Sequence, residues 1–203
     1  MKRQWMALWN RLGASGDPEP IYADLVQRYS GAGRAYHTLR HIEHCLTELA
    51  SFPEPCADRD TIEFAVWFHD AIYATKAKDN EEQSAELARA VAHNANLTAS
   101  FADTVTGLIL TTKHSVPPTS AAAQLIVDVD LAILGQPQPA FDKYERQIRE
   151  EYDWVPAEDF RKGRAAILAR FANRPNIYAT EHFHELYEIQ ARENLIRSLQ
   201  QLG

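Results

Sequence analysis

The stretch FAVWFHDAIYATKAKDNEEQSAE, residues 64–86, decides the fold. In it and just before it, Ile62, Ala65, Val66, His69, Ile72 and Tyr73 recur at helical spacing. Trp67 and Phe68 make the remaining sides apolar as well, and a helix apolar all round is a buried helix. The spacing predicts a central helix that starts from a cap at Asp58 or Asp60 and runs to about Ala74. His69–Asp70 then lies inside a core, where an ionised carboxylate needs a partner or a metal. Asp79, with Glu82 three residues on, has capping-box spacing and should open a further helix from Asn80 to about His93.

Outward from this stretch the chain reads as helices almost throughout. Residues 3–12 place Trp5, Leu8, Trp9 and Leu12 on one face, and residues 20–30 do the same with Ile21, Leu25, Val26 and Tyr29 before Gly31–Gly33. A helix from Thr38 to Phe52 follows, ended by Pro53 and Pro55. Residues 99–113 carry Phe101, Val105, Leu108, Ile109 and Thr112 on one face. QLIVDVDLAILG is apolar enough for a buried strand, but its Ala-rich start and closing Gly135 favour a helix. Three helices near 140–152, 157–172 and 182–201 complete the chain, with Pro156 in the first turn of the second. With no alternation of strand and helix patterns, the expected fold class is all-α, in a single domain over residues 1–203.

At 203 residues the chain is long enough to bury its own core, and 45% hydrophobic with 24% charged residues is ordinary for a globular protein. A formal net charge of −7 argues against binding a nucleic-acid backbone, which needs clustered Lys and Arg. Cys45 and Cys56 form no CxxC pair, and no stretch has the length of a signal peptide or a membrane span. The expected location is cytoplasmic, with no membrane partner.

The chemistry lies in four separated places. In YHTLRHIEH, His37, His41 and His44 share a face only if the segment is helical. His69–Asp70 is the second place, and His114, at a helix C-terminus, is the third. Asp128-Val-Asp130 is the fourth. On a helix its two carboxylates point to nearly opposite sides. Ile126, Val127, Ile133 and Leu134 surround Asp130, whereas Gln124, Leu125, Leu131 and Ala132 make a more mixed setting for Asp128. Asp130 is therefore expected to be the better buried and to bind a cation, with Asp128 supporting it from behind.

The ordered set His41, His69–Asp70 and Asp130 on separate helices resembles the HD superfamily of metal-dependent phosphohydrolases. YHTLRHI, FHDAIY with DNEEQSA after it, TTKH and DVDLAILG are similar to one branch of it, the small bacterial predicted phosphohydrolases. So are REEYDWVP, GRAAILARF and NIY in the tail. The resemblance implies an HD helical bundle over about 20–135 with additional C-terminal helices over about 139–203. It also implies that His41, His69, Asp70 and Asp130 bind a divalent ion: Mn, Fe, Co, Ni or Zn, with Mg less suited to two imidazoles. Water activated by that ion would cleave a small phosphoester, a nucleotide among the candidates. Asp70 would orient the nucleophile, His114 and Glu81 would serve acid–base chemistry, and Lys113 is the nearest cation for a phosphate. Tyr73 stands where an HDxxE motif would have its carboxylate, and there is no GYP extension.

Two other functions fit the same residues. A mixed-valent di-iron oxygenase would need further ligands from His114, His37, His44 or His93. A non-catalytic metal- or nucleotide-binding protein would need none. Arg161, Lys162 and Arg164 form a basic cluster that could steer a phosphate but reads mainly as a solvated face, although Arg164 falls on the stripe with Phe160, Ile167, Leu168 and Phe171; His182 and His184 read as exposed. The apolar faces of the first and last helices can close the core or pair two copies as a homodimer.

Overall fold

Each periodic apolar stretch folds as a helix. The computed structural model describes residues 1–53 and 56–203, so Pro55 lies outside the described residues. The helices are α1 (Lys2–Arg11), α2 (Glu19–Tyr29), α3 (Leu39–Ser51), α4 (Arg59–Phe68) and α5 (Asn80–Asn94). Then come α6 (Ala99–Thr111), α7 (Ala121–Leu131), a 3₁₀ turn over Ala132–Gly135, α8 (Gln138–Glu151), α9 (Ala157–Ala172) and α10 (Glu181–Leu202). Among the described residues no strand forms, so the fold is all-α. None of these helices is long and apolar enough to cross a membrane. QLIVDVDLAILG is helical, as its ends predict.

α4 is the centre of the packing. Every residue from Ile62 to Phe68 is buried, and the helix touches α1, α3, α5, α6 and α7. Trp5 of α1 places its ring 5.5 to 6.0 Å from those of Trp67, Phe64 and Phe68. These contacts join a single buried cluster that extends from Trp5 to Leu195. α5 and α6 pack as a pair on one side, and α9 and α10 pack as another.

The central helix stops at Phe68, short of the expected Ala74. Groups outside α4 supply the hydrogen bonds that a longer helix would have made. Arg34 donates to the carbonyls of Asp70 and Ala71, at 2.9 and 3.1 Å. Ser84 Oγ accepts from Ile72 N and donates to Ile72 O. Asn80 brackets Ala74 in the same way, bonding both its N–H and its carbonyl. The chain thus leaves the helix at the residue that must turn its carboxylate toward α3 and α7. The capping box also fails to form: Asp79 makes no side-chain cap bond, and Glu82 pairs with Lys113 instead. Asp58 occupies the α4 cap position without a side-chain bond, while Asp60 pairs with Arg11. Pro156 sits one residue before α9 rather than inside it.

The two aspartates of α7 do point apart, but their expected burial is reversed. Asp128 is 0% exposed, while the Asp130 side chain is 16% exposed. Asp128 takes no part in supporting Asp130. It accepts from Ala179 N (2.9 Å), Thr180 N (2.7 Å) and Thr180 Oγ1 (2.7 Å), and so fixes the chain entering α10. Glu188 binds the preceding amides of Ile177 and Tyr178 at 3.0 and 3.2 Å. The helix neighbours of Asp128 gave no sign of this, because its cover arrives from about fifty residues away. At Gly135 an added Cβ would lie 2.3 Å from Tyr187 Cβ, so glycine lets the 3₁₀ turn press against α10. Asp128→Ala should lower stability by about 2–3 kcal/mol in urea denaturation, by stranding the entry to α10. The metal content of the site described next should be unchanged.

Candidate metal centre

Four elements deliver donors to one point. His41 comes from the first turn of α3, whose start is set by Thr38 Oγ1 accepting from Arg40 N. His69 caps the end of α4, Asp70 follows it in the turn, and Asp130 comes from the last turn of α7. His41 Nε2 and His69 Nε2 face each other at 3.1 Å. Asp130 Oδ1 lies 3.3 and 3.5 Å from these two nitrogens, and Asp70 Oδ2 lies 3.4 and 3.2 Å from them. His41 and His69 are 3% and 2% exposed and lie behind the two aspartates, which line the pocket.

His41, His69 and Asp130 could hold a metal ion. Ligands bound at about 2.1 Å to one ion stand roughly 3.0–3.4 Å from each other, which matches these separations. The tautomer fits too. His69 Nδ1 is 2.8 Å from the Val66 carbonyl, so its proton sits there and the Nε2 lone pair points into the cluster. His41 Nδ1 lies 3.7 Å from Cys45 Sγ, leaving its Nε2 for the same point. With neutral imidazoles the four side chains carry two negative charges, which a divalent cation balances. Burial works against a charged His69, yet Asp70 and Asp130 draw its pKa well above the usual imidazole range. Burial likewise pushes Asp70 up, but His69, His37 and His41 outweigh it and hold the carboxyl well below the usual range. The cluster is thus built to attract positive charge.

The aspartates open onto a pocket of about 620 Å³ that also takes in Glu81, Lys113 and His114. His114 is no surface cap. It adopts a left-handed backbone (φ 53°), and Arg170 and Arg174 both donate to its carbonyl. Its Nε2 is 3.0 Å from Asp130 Oδ2, while its Nδ1 is buried with no partner among the described residues. Its Nε2 is thereby engaged on a pocket-lining carboxylate, and His114 holds Asp130. Lys113 reaches the pocket already paired with Glu82, and its Nζ is 4.0 Å from Glu81. His44 sits 3.7 Å from Glu48, and burial followed by the nearby His41 lowers its pKa to about 4. His93 lines a separate groove with Glu86 and Arg89.

Other expectations change with the packing. Arg164 belongs to no solvated face: it is 7% exposed, paired with Glu145 and stacked over Tyr144. His182 is half-buried against Phe52 and Phe183. His37 precedes α3 instead of sharing its face, and the structure gives it a partner the sequence hides. Glu151, at the end of α8, accepts from the backbone amides of Ala35, Tyr36 and His37 at 2.8 to 2.9 Å through Oε1. Its Oε2 lies 2.6 Å from His37 Nδ1 and accepts from Tyr73 OH at 2.9 Å. The His37 ring stacks on Tyr73 with centroids 4.2 Å apart, and Nε2 is left to the pocket that the residue lines.

Two expected outcomes follow from this geometry. Elemental analysis of protein purified without added metal should find about one transition ion per chain, and Asp130→Ala should lose it. Burial alone would raise the Glu151 pKa, but His37 and the loop amides lower it from 4.5 to about 2. A lowered carboxyl pKa stabilises the fold above its unfolded value, and that contribution vanishes as pH falls through the folded value. Between about pH 4.5 and 2, wild type should lose on the order of 3 kcal/mol more stability than Glu151→Gln, measured by denaturation across pH.

No protein-family profile, curated protein or solved structure matches this chain.

Proposed function

We propose that this chain is a metal-dependent phosphohydrolase of the HD type, acting on a small phosphorylated substrate. The observation that supports it most is the cluster of His41, His69 and Asp130, with Asp70 Oδ2 3.4 and 3.2 Å from the two imidazoles, at a pocket that also holds His37 and Lys113. These four residues would hold one divalent ion, with Mn, Fe, Co, Ni or Zn suited to two nitrogens and two oxygens. Such an ion, when bound, supplies Lewis acidity toward a phosphoryl oxygen and a lowered pKa for water.

The rest is the work of the chain. Asp70, held ionised beside His69, accepts a hydrogen bond from the attacking water and aims it. His114 fixes the other face of the site by holding Asp130 Oδ2. Lys113 offers an ammonium to the phosphate, with Glu81 and Glu82 setting its position. His37 presents its Nε2 to the pocket it lines, and Glu151 fixes its ring through Nδ1. As the new O–P bond forms the water sheds one proton to solvent, and as the ester P–O bond breaks His37, with both ring nitrogens protonated, gives its Nε2 proton to the departing oxygen, which suits esters whose alcohol is a poor leaving group.

A panel of phosphoesters with Mn²⁺, Co²⁺ or Ni²⁺ should release phosphate from at least one member, and Asp70→Ala should abolish it. His37→Asn should slow alkyl phosphates by ~10²–10⁴-fold while leaving p-nitrophenyl phosphate, whose leaving group needs no proton, within about tenfold. Two irons per chain and a coloured oxidised form would instead move the reading to oxygen chemistry.

A further inference from the structure

The pocket is chemically two-sided. Asp70, Asp130, His37 and His114 supply its polar donors, and α9 with the turn before it supplies a run of further lining residues. There Tyr152, Val155, Phe160, Gly163 and Ile167 line the space. Phe160, Gly163 and Ile167 follow one another at i, i+3 and i+7, so they share a helix face. Ile167 is 44% exposed, a large apolar side chain left open to the pocket. Of the α9 cations that line this space, Arg164 is paired with Glu145 and Arg170 donates to the His114 carbonyl. The acidic group beside them, Asp159, is exposed and would repel a second phosphate.

Gly163 sits within α9, where glycine is the poorest helix former after proline. Packing does not require it: a Cβ there would meet no atom within 4 Å. Gly135 shows the contrast, since Tyr187 leaves it no room. What the missing side chain at Gly163 does provide is free volume in the pocket, beside Phe160 and Ile167. A ligand that approaches a helix backbone closely is one of the established uses of glycine.

We propose that this face of α9 is the subsite for an uncharged, ring-bearing apolar group of the substrate, and that Gly163 sets the size of ring admitted. The inference rests on the phosphohydrolase reading for the placement of the phosphate end. The substrate class is then an organic monophosphate with an aromatic or comparably apolar moiety, rather than an inorganic polyphosphate or a sugar phosphate.

The test is calorimetric binding of two phosphonates, which have no ester bond to cleave, to metal-loaded wild type, Gly163→Ala and Gly163→Leu. Wild type should bind naphthylphosphonate at least about tenfold tighter than methylphosphonate, the scale expected for removing a ring from water. Gly163→Leu should lose that preference with methylphosphonate binding unchanged, and Gly163→Ala should fall between. Both variants should melt at or above the wild-type temperature, since either residue is a better helix former, so lost binding would not reflect lost fold. Equal binding of the two phosphonates by wild type, or a preference intact in Gly163→Leu, would overturn the subsite. Selective binding without hydrolysis of any phosphoester would keep the subsite and defeat the phosphohydrolase reading. Phosphate release with no preference for the ring would do the reverse.

Discussion

Two imidazoles 3.1 Å apart, each with an oxygen of Asp70 and of Asp130 within 3.5 Å, form the constraint that the rest of the structure serves. Their lone pairs repel unless positive charge lies among them, and burial removes the water that would otherwise screen them. Everything that fixes these four side chains acts against that repulsion. The early stop of α4, the Arg34 bonds to the Asp70 turn, the Val66 carbonyl on His69 and the His114 bond to Asp130 each restrict one donor. A site held in this way is organised before any cation arrives, which reduces the ordering that binding must supply.

A second class of buried carboxylate does a different job. Asp128 and Glu151 accept backbone amides from segments distant in the chain, and Glu188 accepts them from the turn just before its own helix. Asp128 and Glu188 fix residues 177–180 at the start of α10. Glu151 fixes residues 35–37 at the start of α3 and so reaches His37. A carboxylate can satisfy several adjacent N–H groups at once, which lets one side chain order a loop that has no secondary structure of its own. In this way α8 to α10 become part of the site: they place His37, hold the carbonyl of His114 through Arg170 and Arg174, and supply the apolar wall.

The helices were legible because each is a long amphipathic or apolar period, and local pattern dominates there. The α4 segment shows both the reach and the limit of that signal. Its burial was readable from Ile62 to Phe68, yet the same periodicity continued through Ile72 and Tyr73, where no helix forms. The stop is imposed by Arg34, Asn80 and Ser84, which bond the turn from elsewhere in the chain. Asp128 and Asp130 repeat the point. Their opposite directions follow from helix geometry, but their order of burial depends on α10, which no window around residue 128 contains.

By itself the sequence determined an all-α chain with a buried central helix, and it placed His69–Asp70 and Asp130 in apolar runs, whereas His41 was marked as their partner only by the resemblance to the HD pattern. Periodicity and the scarcity of charge in apolar runs are local properties, and they survive in a linear reading. Only the tertiary structure decided that His41, His69 and Asp130 meet with Asp70 beside both imidazoles, that His114 serves Asp130, that His37 has Glu151 behind it, and that Gly163 opens into the same pocket. The physical reason is range. A hydrogen bond or a donor cluster acts over about 3 Å, and its partners here lie from tens to more than a hundred residues apart in the chain, so their pairing exists only once the helices have packed.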